Sequence, residues 1–127
     1  MSDLAMHIVH ANLPSELEDG GEESLVESYL TALESMMSAR TGREWVYPRK
    51  VAMRHYRLAC VDYLRFIMGR FWRVATPESF EKRRSSRNTT LINRNLDAAL
   101  RFIEKCDGYL AEFERERRAA SELVTAG

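Results

Sequence analysis

The chain lacks the long apolar runs that would carry it into or across a membrane. No run approaches the roughly 18 apolar residues that a transmembrane helix needs. The first residues do not join a basic segment to an apolar stretch, so we expect no secretory signal. Only two cysteines are present, and both fall on apolar helix faces. We predict that Cys60 and Cys106 are buried thiols, with a disulfide between helices as the alternative.

Recognisable catalytic motifs are also missing. The sequence has no Gly-x-Ser-x-Gly elbow, no glycine-rich phosphate loop and no His-Glu-x-x-His pair. His7 and His10 have a spacing that two metal ligands can share, but the surrounding sequence offers no further ligands. His55 stands alone on a basic segment, without a partner that would make it a base. We therefore predict a protein that is not an enzyme, with no metal site and no cofactor.

Charge is distributed unevenly along the chain, although the formal net charge is zero. Residues 1–47 have a balance of −7, residues 48–87 a balance of +8, and residues 88–127 a balance of −1. Opposite charges on two surfaces of one chain can set the register between copies of that chain. The basic middle segment could equally contact phosphates.

Three apolar stripes at helical spacing predict an all-α fold, a small bundle of three main helices with extended termini. The predicted helices cover about 22–39, 48–73 and 89–120. The third is the longest, and its stripe repeats every seven residues: Ile92, Leu96, Ala99, Ile103, Cys106, Leu110 and Phe113. The side chains expected to be buried between the helices are Leu33, Tyr56, Ala59, Tyr63, Leu96, Ala99 and Ile103.

Turn residues divide the chain into three predicted parts. Gly42 suits a left-handed helix end, and Pro48 suits the first turn of the following helix. We predict a flexible N-terminal arm over 1–21, a helical bundle domain over 22–113 and a charged C-terminal extension over 114–127.

A polar, basic segment separates the second and third predicted helices. Lys82, Arg83, Arg84 and Arg87 carry its charge, and two serines lie among them. We predict an exposed, protease-sensitive loop that only Phe80 anchors to the bundle.

Three short motifs follow one another along the three predicted helices. The first predicted helix ends in the basic and aromatic turn of residues 40–45, Arg-Thr-Gly-Arg-Glu-Trp. Pro48 then begins a helix with small residues on its buried side, and the last helix carries Ala-Ala-Leu-Arg-Phe-Ile at 98–103 followed by Gly108. This order resembles the head–tail connectors of tailed bacteriophages, also called adaptor or head-completion proteins, over roughly residues 22–113.

The resemblance implies a structural protein of the virion with no catalytic residues. Members of this family form rings, usually dodecamers, docked under the portal, so the implied partners are copies of the chain, the portal protein and tail or tail-terminator proteins. DNA would make only non-specific contact in the channel, and no membrane would be involved. The implied location is the head–tail junction, after synthesis in the host cytoplasm. The segments 1–21 and 114–127 have no counterpart in the pattern.

Within such a ring, the acidic and basic portions are expected to face each other across neighbouring subunits. The proposed acidic side is Glu22, Glu23, Glu27 and Glu34, and the proposed basic side is Arg54, Arg57, Arg65 and Arg70. Two alternatives stay open. One is a nucleic-acid-associated helical protein that uses residues 49–87, and the other is a small dimeric regulatory or partner-binding module paired through the third helix.

Overall fold

The computed structural model describes all 127 residues and contains seven α-helices and no strand. The helices are α1 (Ser2–Ala11), α2 (Pro14–Leu17), α3 (Gly21–Thr41), α4 (Arg49–Arg70), α5 (Pro77–Arg83), α6 (Leu91–Arg94) and α7 (Leu96–Ala126). The prediction of a small all-α bundle with a long C-terminal helix is confirmed. The three predicted main helices correspond to α3, α4 and α7, whereas α1 and α5 occupy segments predicted to be an arm and a loop.

The core surrounds α4, which contributes more buried residues than any other helix. Helices α4 and α7 run antiparallel, because Arg54 pairs with Glu116 near one end and Tyr63 packs against Phe102 further along. The buried apolar side chains are Leu4, Ala5, Ile8, Val9, Val26, Leu30, Ala52, Tyr56, Cys60, Tyr63, Leu64, Ile67, Phe80, Ile92, Ala98, Ala99, Phe102 and Cys106.

The seven predicted core residues fall into three groups. Those buried as predicted are Tyr56, Tyr63 and Ala99. Those only half-buried are Leu33, Ala59 and Ile103. Leu96 is 36% exposed, so its prediction as a core residue is wrong. Leu96 is the first residue of α7, and its side chain lines an open groove whose other side is formed by α5.

The N-terminal arm predicted to be flexible is instead a core helix. Leu4, Ala5, Ile8 and Val9 of α1 are buried against the rest of the bundle. His10, in the last turn of α1, hydrogen-bonds the hydroxyl of Tyr63 on α4. The bundle domain therefore includes residues before position 22, and burial of this apolar stripe is the physical reason that α1 is ordered.

Helix α3 ends as predicted, with Gly42 in the left-handed conformation at φ 68°. Its buried residues all lie in its first half. The following connector runs back beside the helix, because the backbone amide of Tyr47 donates to Glu34 and that of Trp45 donates to Ser38. Helix α4 then begins directly after Pro48.

The basic loop is shorter than predicted, because α5 occupies its first part. The hydroxyl of Thr76 accepts from the backbone amide of Ser79, which caps α5 and begins it at Pro77. Phe80 is buried, so the predicted anchor is confirmed. The irregular segment starts after Arg83, and the last long helix starts only at Leu96, capped by the side chain of Asn95.

Helix α7 continues well past its last contact with α4. The final ion pair between the two helices joins Arg54 to Glu116, yet α7 extends to Ala126. No residue beyond Glu114 in this helix is even half-buried. We call residues 119–126 the α7 tip. These two helical turns project from the bundle and are exposed on all sides.

Candidate functional site

A buried carboxylate joins three helices at the centre of the molecule. Glu22, in the first turn of α3, is 3% exposed. Its Oε1 accepts a hydrogen bond of 2.6 Å from the hydroxyl of Tyr56, and its Oε2 accepts one of 2.7 Å from Tyr109. The Nζ atom of Lys105 lies 3.1 Å from Oε2. Burial of a charge is tolerated only when it is paired and hydrogen-bonded, and both conditions are met here.

The chemistry of this cluster suits a structural clamp. Burial, together with the nearby Glu22 carboxylate, raises the pKa of the Tyr109 hydroxyl, which therefore remains a donor at neutral pH. Each carboxylate oxygen already has a partner, and the side chain is closed off from solvent. The cluster fixes α3 to α4 and α7 and leaves no free position for a substrate.

Sequence reasoning placed Glu22 on the surface, and that interpretation is wrong. A signal was present, because Glu22, Val26 and Leu30 are spaced four residues apart and share the buried face of α3. Its partners Tyr109 and Lys105 lie more than 80 positions away, so no local pattern identifies them.

The two cysteines are buried free thiols, as predicted. Burial raises the pKa of the Cys60 thiol to about 12 and also raises the pKa of Cys106. A thiol is nucleophilic or metal-binding only as the thiolate, so both are unreactive at neutral pH. They act as small core residues between α4 and α7.

The histidines do not converge on a common site. Burial and the nearby His7 lower the pKa of His10, which is bonded to Tyr63. His7 is exposed, and Nδ1 of His55 lies 2.6 Å from the hydroxyl of Tyr47. No three His, Cys, Asp or Glu side chains lie close enough to hold a metal ion.

Most of the charges predicted for a subunit interface are satisfied within the chain. Glu22 is in the core, Glu27 and Glu34 bind Arg49, Arg54 binds Glu116, Arg57 binds Glu112, and Arg65 binds Asp62. Burial removes Glu22 from any interface, whereas the other paired charges lie at the surface, so the subunit interface itself stays a prediction. Only Glu23 and Arg70 remain exposed without an ion pair.

The predicted basic loop keeps most of its charge exposed. Lys82 and Arg87 are exposed without ion pairs, and Arg84 pairs only with Glu81 on the neighbouring turn. Arg83 differs, because it lies partly buried with its guanidinium 5.3 Å from the centre of the Phe80 ring. The exposed cations therefore lie around the end of α5.

Concave surfaces lie on several sides of the bundle. A cavity of about 480 Å³ lies beside α2 and α7, where Arg101 pairs with Glu18 and Lys105 pairs with Glu22. A groove of about 550 Å³ lies between α1 and α4, and Phe66 lines it. We call the second surface the α1/α4 groove.

Comparison with family models, curated proteins and solved structures found no match. No helix of this protein is both long enough and apolar enough to cross a membrane.

Proposed function

We propose that this protein is a structural subunit, a helical adaptor that assembles with copies of itself into a ring at a phage head–tail junction and links the portal to the tail. The motif order within residues 22–113 supports this proposal. The all-α architecture with a long final helix agrees with what that resemblance implies. The location in the virion is part of the same proposal.

The observation that carries the proposal is the unusually large surface of the isolated chain. The solvent-accessible area is 8985 Å². A compact monomer of 14.7 kDa exposes about 6,900 Å². An ordinary interface buries about 800 Å² on each partner, so the excess of about 2,000 Å² is enough for two neighbours. Two neighbours per subunit are what a closed ring requires.

Exposed large apolar side chains occur along three helices. On α3 they are Leu25, Tyr29 and Met36. On α7 they are Leu96, Leu100, Leu110, Leu123 and Val124. On α4 they are Val51, Leu58, Phe66 and Met68. Apolar residues that recur along one helix favour contact with another protein surface.

The unpaired cations near the end of α5 support the expected contact with DNA in a channel. Lys82 and Arg87 are exposed and carry no ion pair, and Arg73 follows the end of α4. Such a contact would be non-specific, because it uses phosphate charge.

The mass of the purified protein in solution, measured by light scattering, tests the ring. We expect a species of many subunits, either alone or after mixing with a candidate portal protein, and electron micrographs of that mixture should show rings on the portal. A stable dimer that does not bind any portal would contradict the proposal and favour the dimeric regulatory module. Strong, salt-dependent binding of generic duplex DNA by a monomer would favour the nucleic-acid alternative.

A further inference from the structure

The α1/α4 groove is an apolar surface that no part of its own chain covers. Met6 on α1 and Phe66 on α4 form its two sides, and both are exposed. Ala59 and Gly69 also line it, which keeps the groove open because neither carries a large side chain. A Cβ atom placed on Gly69 would meet nothing within 4 Å.

The charges around this groove leave one cation without a partner. Asp62 and Arg65 both line the groove and pair with each other at 2.9 Å. Arg70 lines it as well, is exposed, and has no ion pair. A matching ligand would therefore present apolar side chains and one negative charge.

The α7 tip has this composition. Leu123 and Val124 are 77% and 81% exposed, among the highest values for large apolar residues in the chain. Glu122 is the one charged side chain within residues 119–126, and it has no ion pair. The C-terminal end of a helix also carries partial negative charge, which favours a cation beside it.

The dimensions of the two surfaces agree. The part of α4 that lines the groove, residues 59–70, is about 18 Å long at 1.5 Å per residue. The α7 tip of residues 119–126 is about 12 Å long on the same basis.

A subunit cannot place its own tip in its own groove. The antiparallel register fixed by the Arg54–Glu116 pair puts Leu123 beyond the start of α4. The distance from there to Phe66 along the helix axis is about 30 Å. The contact must therefore form between two copies of the chain.

We propose that the α7 tip of one subunit docks in the α1/α4 groove of the next, with Leu123 and Val124 against Phe66 and with Glu122 beside Arg70. This inference rests on the proposed ring and names the contact that joins its subunits. Because donor and acceptor surfaces differ, the contact is head-to-tail and can propagate around a closed ring.

Filling the groove tests the proposal with a matched control. Gly69→Leu adds a side chain in the groove, and its Cβ atom would meet nothing within 4 Å. Gly108→Leu makes the same change on α7, where space is also open but the groove is remote. We expect Gly69→Leu to weaken self-association at least tenfold by sedimentation equilibrium, while Gly108→Leu leaves it unchanged. Equal effects of the two variants would overturn the proposal.

A mixing experiment separates the two halves of the contact. One full-length variant carries Gly69→Leu, which blocks the groove, and a second carries Leu123→Asp with Val124→Asp, which disables the tip. Neither should self-associate, yet an equimolar mixture should form a 1:1 complex through the intact tip of the first and the intact groove of the second. Absence of that complex would overturn the proposal. Circular dichroism of each variant checks that the bundle is folded.

Charge exchange gives a third readout. Arg70→Glu and Glu122→Arg should each weaken association about threefold or more at low salt, and the double variant should recover it. If the parent forms portal-bound rings that none of these variants affects, the tip contact is wrong and the proposed ring stands. If the contact responds as expected but the parent forms only a dimer that binds no portal, the contact stands and the ring is wrong.

Discussion

The two halves of α7 have the same helical geometry but very different surroundings. Between Leu96 and Phe113 the helix packs against α4, and Phe102 and Cys106 are buried. Beyond Glu114 every side chain is exposed, and the last ion pair to α4 is the one between Glu116 and Arg54. The comparison shows that one continuous helix can be stabilised in two ways, by burial of an apolar face and by interactions along its own surface.

Local ion pairs stabilise the exposed half. The carboxylate of Glu114 pairs with Arg117 at 2.8 Å and with Arg118 at 3.2 Å. These two guanidinium groups lower the pKa of Glu114 to about 2. Charge pairs three and four residues apart stabilise a helix weakly and are sensitive to salt. High salt should therefore weaken the helical structure of the exposed half and leave that of the packed half unchanged.

The largest expected effect is a truncation in the packed half. Phe102→Ala removes a buried ring that packs near Tyr63, and it should lower the free energy of unfolding by about 3–5 kcal/mol. Val124→Ala, in the exposed half, should change it by less than about 0.5 kcal/mol. Urea denaturation of a dilute, unassembled sample measures both. Similar losses for the two variants would mean that the halves do not differ as described.

Removal of the buried carboxylate should have the next largest effect. Glu22→Ala leaves the hydroxyls of Tyr56 and Tyr109 and the ammonium of Lys105 without their shared acceptor. We expect a loss of about 3 kcal/mol, since breaking a buried pair leaves an uncompensated charge. Glu23→Ala, one position along and exposed, is the control and should be nearly neutral. If Glu22→Ala left the free energy of unfolding unchanged, the cluster would not stabilise the packing of α3 against α4 and α7.

Low pH should lower the stability of the bundle through His10, by less than the two substitutions above. Its pKa in the folded chain lies below the ordinary value of 6.5, because burial and His7 disfavour the imidazolium. The unfolded chain therefore binds more protons, and stability is fully present above about pH 6.5 and is lost as the pH falls through the folded pKa. His10→Gln should flatten the dependence of the melting temperature on pH below 6.5. An unchanged pH profile would contradict this assignment.

The smallest effect is expected in the exposed half. Glu114→Gln removes the charge that joins Arg117 and Arg118, so amide hydrogen exchange should accelerate over residues 115–121 while the global melting temperature stays the same. High salt should produce the same acceleration in the parent and little further change in the variant. A fall in the melting temperature would indicate that this segment packs on the bundle.

The long helices could be predicted from sequence because their signals are local. The left-handed conformation of Gly42 and the start of α4 after Pro48 depend on residues within one turn. The stripe of α4 has the 3.6-residue period that buries one face. The stripe predicted on α7 is only partly buried, because Ala99 and Cys106 are buried whereas Leu96 and Leu110 are exposed. Leu4, Ala5, Ile8 and Val9 also have helical spacing, but α1 is short and its order depends on packing against α4.

The ion pairs could not be predicted, because each depends on a partner set by the tertiary fold. Arg49 binds Glu27 and Glu34 only because the connector returns beside α3. Arg57 binds Glu112 only because α4 and α7 are antiparallel. The net charge of a segment counts its charged side chains. It does not show which of them form ion pairs within the folded chain.

The bond between Tyr109 and Glu22 also constrains the order in which the molecule can fold. The two residues are 87 positions apart in sequence. At synthesis rates of about 5–20 residues per second, the tyrosine follows the carboxylate by about 4–17 seconds. Until then Glu22 must stay hydrated, because burial without its partners is unfavourable. We therefore expect the first turn of helix α3 to dock late during synthesis, after most of α7 has been made.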